Sequence, residues 1–124
     1  METNKLQDET KESKILLVTY DIKRFDMNYK SLYDILKSAN SWCHHIDATW
    51  FIKTEEPTKH WYDIIQKVID PKDYFIIIDI TGQLKQGWMP KETWEWFEIN
   101  DNNDKQMNEN KHNVKYSRYK SESI

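Results

Sequence analysis

Ile15-Leu16-Leu17-Val18-Thr19-Tyr20 is an unbroken apolar run rich in β-forming residues, and it ends at Asp21. Such a run predicts a strand buried on both faces and therefore central in its sheet. From Asn28 to Ala39 the period becomes helical: Tyr29, Leu32, Tyr33, Leu36 and Ala39 share one side, with Lys30, Asp34 and Lys37 turned outward. Asn40-Ser41 stops this helix. Trp42 to Thr54 alternates, with His44, Ile46, Ala48, Trp50 and Ile52 on one face and Cys43, His45, Asp47, Thr49, Phe51 and Lys53 on the other. A single strand of that length is unusual, so a bend near Asp47-Ala48 is expected to give two antiparallel pieces or one bulged strand.

Glu55-Glu56-Pro57-Thr58 opens a second helix with acids near its positive end, and Trp61, Ile64, Ile65, Val68 and Ile69 form its apolar stripe. Asp70-Pro71-Lys72-Asp73 reads as a turn, and Tyr74 to Ile80 as a second strongly apolar strand. Gly82 and Gly87 frame a loop, and Pro90 suits the first position of a short closing helix from Pro90 to Phe97. The elements predict an α+β fold of the ferredoxin-like βαββαβ kind. Two helices should cover one face of an antiparallel sheet, with the first and last strands as parallel neighbours. The second face should meet water or a partner. A short C-terminal helix completes the unit.

Residues 1–13 and 100–124 carry almost no branched apolar side chains, so they read as disordered polar tails around a folding unit spanning 14–99. A core that small buries a modest share of its surface, and a homodimer interface would supplement it. The formal net charge of −3 lacks the basic field of a dedicated nucleic-acid binder. Only Lys115 to Lys120 interleaves cations with aromatics in a way suited to a phosphate backbone. One cysteine, Cys43, excludes an internal disulfide and fits a reducing cytoplasm. Neither a signal peptide nor a membrane span is expected.

Candidate chemistry is sparse. Asp21, by position alone, reads as the cap of the turn after its strand. His44 and His45 point to opposite faces as strand neighbours. His44 should pack against the helices, while His45 should lie on the open face or in a dimer interface. His45 is also a candidate general base or phosphate contact. Cys43, His45 and Asp47 share a face at metal-compatible spacing, without a fourth ligand nearby. Trp88, Trp94 and Trp96 gather near the glycine loop, and Trp94 and Trp96 cannot both face inward on one helix. They are candidate partner or base-stacking contacts, or a lid over the sheet. Lys23-Arg24 is the compact basic pair of the core. Asp79 either marks the open face or pairs with a neighbour such as Lys53. No glycine-rich phosphate loop, nucleophile elbow or Cys-x-x-Cys motif occurs.

Val18-Thr19-Tyr20-Asp21-Ile22 and Ala48-Thr49-Trp50-Phe51-Ile52-Lys53 resemble the first strand and the pre-helix strand of the CRISPR-associated protein 2 family. The wider group includes virulence-associated protein D, a ribonuclease-like toxin. The stretch Trp42 to Trp50 with Gly87-Trp88 is similar to uncharacterised bacterial and phage "SinR-like" proteins of the same superfamily. The resemblance covers about Lys14 to Ile80. It implies a dimer in which one Asp21 from each chain holds Mg2+ or Mn2+ across the axis and supports phosphodiester cleavage of RNA or DNA. Two carboxylates with waters and substrate phosphate can suffice for such an ion. Lys23 and Arg24 would then clamp a phosphate beside it. The alternative is a non-enzymatic protein-interaction module, a phage or mobile-element factor that uses the dimer and its tryptophan-rich end.

Overall fold

The computed structural model describes residues 12–23 and 29–101. The expectations for Arg24, for Lys115 to Lys120 and for nearly all of both tails lie outside the described residues. Among the described residues four strands and three helices follow one another as β1 (Lys14–Asp21), α1 (Lys30–Lys37), β2 (Ser41–Ile46), β3 (Thr49–Thr54), α2 (Thr58–Ile65), β4 (Tyr74–Asp79) and α3 (Lys91–Asn100). The strands form one antiparallel sheet in the order β2-β3-β1-β4. This α+β arrangement is compatible with the ferredoxin-like expectation.

The direction of β4 corrects the sequence reading. β1 and β4 are neighbours, but antiparallel ones, with Val18 opposite Ile77 and Tyr20 opposite Phe75. The cause is topological. β3 lies between β1 and β2, so β1 and β2 are parallel without touching, and β4, parallel to β3, must oppose β1.

Register decides which side chains meet the helices. Leu16, Val18 and Tyr20 of β1 join Trp50 and Ile52 of β3 on one face, under Leu32 and Leu36 of α1 and Trp61 and Ile65 of α2. Phe75 and Ile77 pack at the margin of this cluster. Thr54 ties the end of β3 to α2, accepting from Glu56 N at 2.9 Å and from Trp61 Nε1 at 3.2 Å. The bend near Asp47-Ala48 appears as a hairpin turn, with a register shift in β2 between Cys43 and Ile46.

The second face is half covered by the chain itself. α3 runs from Lys91 to Asn100, three residues past the expected end, and packs Trp94 and Phe97 on Ile15, with Phe51, Ile80, Met89 and Trp96 around them. The helix continues because Asn100 Nδ2 donates to Trp96 O at 2.8 Å and Asp101 N to Phe97 O at 2.9 Å. Asp101 is 2% exposed. Its carboxylate accepts Gly82 N at 2.9 Å and Lys85 Nζ at 3.2 Å. Gly82 has φ 70°, the left-handed region that glycine enters without a Cβ clash. Of the two polar residues at the start of the expected tail, Asn100 thus closes the last turn of α3 and Asp101 locks the glycine loop to the end of that helix.

Candidate functional site

β1 delivers Asp21 to the end of the sheet, where it pairs in register with Tyr74 of β4. By strand alternation Asp21, Leu17, Tyr74, Ile76 and Ile78 share the second face, beyond the part that α3 covers. Tyr74, Ile76 and Ile78 are 68%, 54% and 45% exposed, so an apolar band ends at a carboxylate. Among the described residues Asp21 accepts no backbone N–H of the turn that follows it. Its Oδ2 instead accepts Lys23 Nζ at 3.0 Å, and Asp73 Oδ1 caps the turn by accepting Lys23 N at 3.0 Å. Both partners of the Asp21–Lys23 pair are more than half exposed, and such a pair adds little stability. Asp21 holds the Lys23 ammonium above its ordinary pKa through this hydrogen bond and its charge. The Lys23 Nζ also lies 5.3 Å from the Tyr74 ring centroid.

Asp21, Asp47, Tyr20, Tyr29 and Tyr33 line a cleft of about 280 Å³ at this end of the sheet. At the rear of the cleft the Tyr20 hydroxyl accepts a hydrogen bond from Trp50 Nε1 at 3.1 Å. Burial pushes the Tyr20 hydroxyl up to about 12, with the Trp50 bond opposing and Tyr33 and Asp47 adding to the rise. Tyr20 therefore stays neutral through the physiological range.

His45 and Asp21 are not brought together. β3 separates their strands, and His45 Nδ1 meets Thr93 Oγ1 of α3 at 2.8 Å. Cys43 Sγ lies 3.4 Å from the same ring nitrogen and 3.9 Å from the Thr93 hydroxyl. Asp47 does not join them. It sits past the bulge in the turn, where alternation no longer holds. Among the described residues no group of three His, Cys, Asp or Glu side chains could hold a metal ion. Cys43, His45 and Thr93 make a small hydrogen-bonded cluster where β2 meets α3. Burial raises the Cys43 thiol, with the Thr93 hydrogen bond opposing it. The single thiol should therefore react slowly with a disulfide reagent in the native protein and much faster in urea. Equal rates would contradict its burial.

His44 lies on the other side, as expected, stacked on Trp50 with ring centroids 3.9 Å apart. Its Nε2 meets Asp47 O at 2.8 Å. Asp79 shares the helix face in register with Leu16, but its Oδ1 accepts Thr81 N and Thr81 Oγ1 at 3.0 and 2.6 Å rather than pairing with Lys53. Trp94 and Trp96 both pack: Trp94 is buried, and Trp96 Nε1 donates to Ser41 Oγ at 2.8 Å. Their two-residue offset resolves as one ring under α3 and one along its side. Trp88 is 62% exposed in the segment before α3.

Sequence reasoning missed Asp101, which ties the glycine loop to the end of α3, and Asp73, which holds the Lys23 amide at the end of β1. Their signal was only an acidic residue beside a turn, which many exposed positions share. No helix among the described residues is long and apolar enough to cross a membrane. No family model, curated protein or solved structure matches this chain.

Proposed function

We propose that this chain is a protein-interaction module of ferredoxin-like architecture that works as a homodimer, with no catalysis of its own. The observation that carries this reading is the apolar strand at the rim of the sheet. Tyr74, Ile76 and Ile78 are exposed on a strand whose outer edge has no neighbour among the described residues. Folded proteins usually blunt such an edge with lysine, proline or a bulge, and Tyr74 to Ile78 has none of these. A contiguous apolar patch on a small domain marks a binding surface. Ile76→Lys tests the reading, because a cation in the middle of the band opposes burial there without touching the core. Light scattering should show the wild-type chain as a dimer and the variant shifted to monomer, with unchanged circular dichroism. A wild-type chain that is monomeric at every concentration would remove the reading.

A second reading has its own support: a nucleic-acid-associated, metal-dependent nuclease resembling CRISPR-associated protein 2. Asp21 is an exposed carboxylate on the same face as the apolar band, so two copies that met there face to face, rather than edge to edge, would bring their Asp21 side chains towards each other. Among the described residues Lys23 is the cation paired with Asp21, and His45 is engaged with Thr93, which is why this reading stands second. Incubation with single- and double-stranded RNA and DNA in Mg2+ or Mn2+ decides it. Cleavage lost in a folded Asp21→Ala chain would put this reading first.

A further inference from the structure

We infer that two copies join edge to edge through β4, antiparallel, to make one eight-stranded sheet; this deepens the homodimer reading above and rests on it. The two ends of the sheet differ. β2, at one end, carries the register shift between Cys43 and Ile46 and lies beside α3, with Ser41 bonded to Trp96. A bulged and flanked edge is a poor template for another strand. β4, at the other end, is regular against β1 from Tyr74 to Asp79. Its main-chain groups on the outer side are a ready template.

The occupant is a second copy because this surface is complementary to itself. A two-fold axis normal to a sheet keeps each residue on its own face, so only registers that pair even with even positions are allowed. Centring the axis on Ile76 sets Ile76 against Ile76, Phe75 against Ile77, and Tyr74 against Ile78. This register matches all five residues from Tyr74 to Ile78 with apolar partners, and shifting it by two residues sets Phe75 or Ile77 against an aspartate.

The helix side agrees independently. A groove of about 430 Å³ runs between α2 and β4, lined by Thr58, Lys59, Tyr62, Phe75, Ile76 and Ile77. Tyr62 stacks on Phe75, with centroids 5.7 Å apart. Lys59 Nζ and Asp63 Oδ2 form an exposed pair 3.0 Å apart on the same helix. The two-fold runs the α2 helices antiparallel above the joined strands, so Lys59 of each copy faces the Tyr62–Asp63 turn of the other. The charges exchange reciprocally, as an isologous interface requires.

This geometry has a consequence for Asp21. Three strand spacings of roughly 4.8 Å and four residues of roughly 3.4 Å rise separate the two copies of Asp21 by about 20 Å. No single ion spans that distance. Edge pairing and a metal shared by two Asp21 side chains are therefore mutually exclusive.

The test uses the full chain with Cys43→Ala, so that each added cysteine is the only thiol. Ile76→Cys under mild oxidation should give a covalent dimer, and Asp21→Cys should not. Lys59→Glu should weaken the dimer several-fold, and adding Asp63→Lys should restore it, because the reversed pairs meet again across the axis. A monomeric wild-type chain would sink the homodimer reading and this arrangement with it. A wild-type dimer that ignores the α2 charge reversals, or that cross-links through Asp21→Cys, would overturn edge pairing alone.

Discussion

Trp50→Ala should leave the chain largely unfolded or close to it, losing about 3–5 kcal/mol. Trp50 is fully buried at the centre of β3, between the Leu16–Val18 pair and the two helices. His44 stacks on its ring at 3.9 Å, Tyr33 meets it edge-on at 5.4 Å and Trp42 tilts against it at 5.2 Å. Truncation would empty the middle of this aromatic cluster, which rigid strands on either side cannot collapse to fill. It would also remove the donor to the Tyr20 hydroxyl, a buried polar group. A small domain has only about 5–15 kcal/mol in total, so the loss is a large share of it. The urea midpoint measures this directly. Trp50→Phe keeps most of the ring and should lose clearly less; equal losses would mean that volume is not what the site supplies.

Asp101→Ala should cost about 3–5 kcal/mol, the range for breaking one side of a buried ion pair. The carboxylate is fully enclosed, and Lys85 is mostly so. Removing it strips the acceptor from Gly82 N and unties the loop from the end of α3. α3 holds Trp94 and Phe97 on Ile15, so the damage should spread to the cover of the second face. Hydrogen exchange reads that spread: the amides of α3 should lose protection before those of β1 and β3. Loss that is uniform across the sheet would contradict a local role.

The elements were legible because their periods are clean. β1 and β4 are continuous apolar runs, α1 and α2 repeat at helical spacing, and the alternation of Trp42 to Thr54 breaks where the hairpin turns. Pairing was harder to read, since a run of isoleucines does not state its direction, and β4 runs opposite to the expected sense relative to β1. α3 was legible as a helix but not as the cover of half the second face. That role depends on Ile15 and Phe51, whose side chains look identical in sequence to those facing the other helices. Asp21 was legible as the residue at the strand end. The cap on the Lys23 amide came from Asp73, fifty residues further along the chain, and only folding brings the two together. The bulge in β2 likewise broke the shared face that Cys43, His45 and Asp47 have on paper.

The exposed band of β4 is where sequence and structure agree on a surface that the described residues leave uncovered. Sedimentation equilibrium of the full chain over a wide concentration range tests it most directly. Self-association through β4 predicts a mass near twice the 15.2 kDa of one chain, falling to that value on dilution. A mass of one chain at every concentration would contradict it.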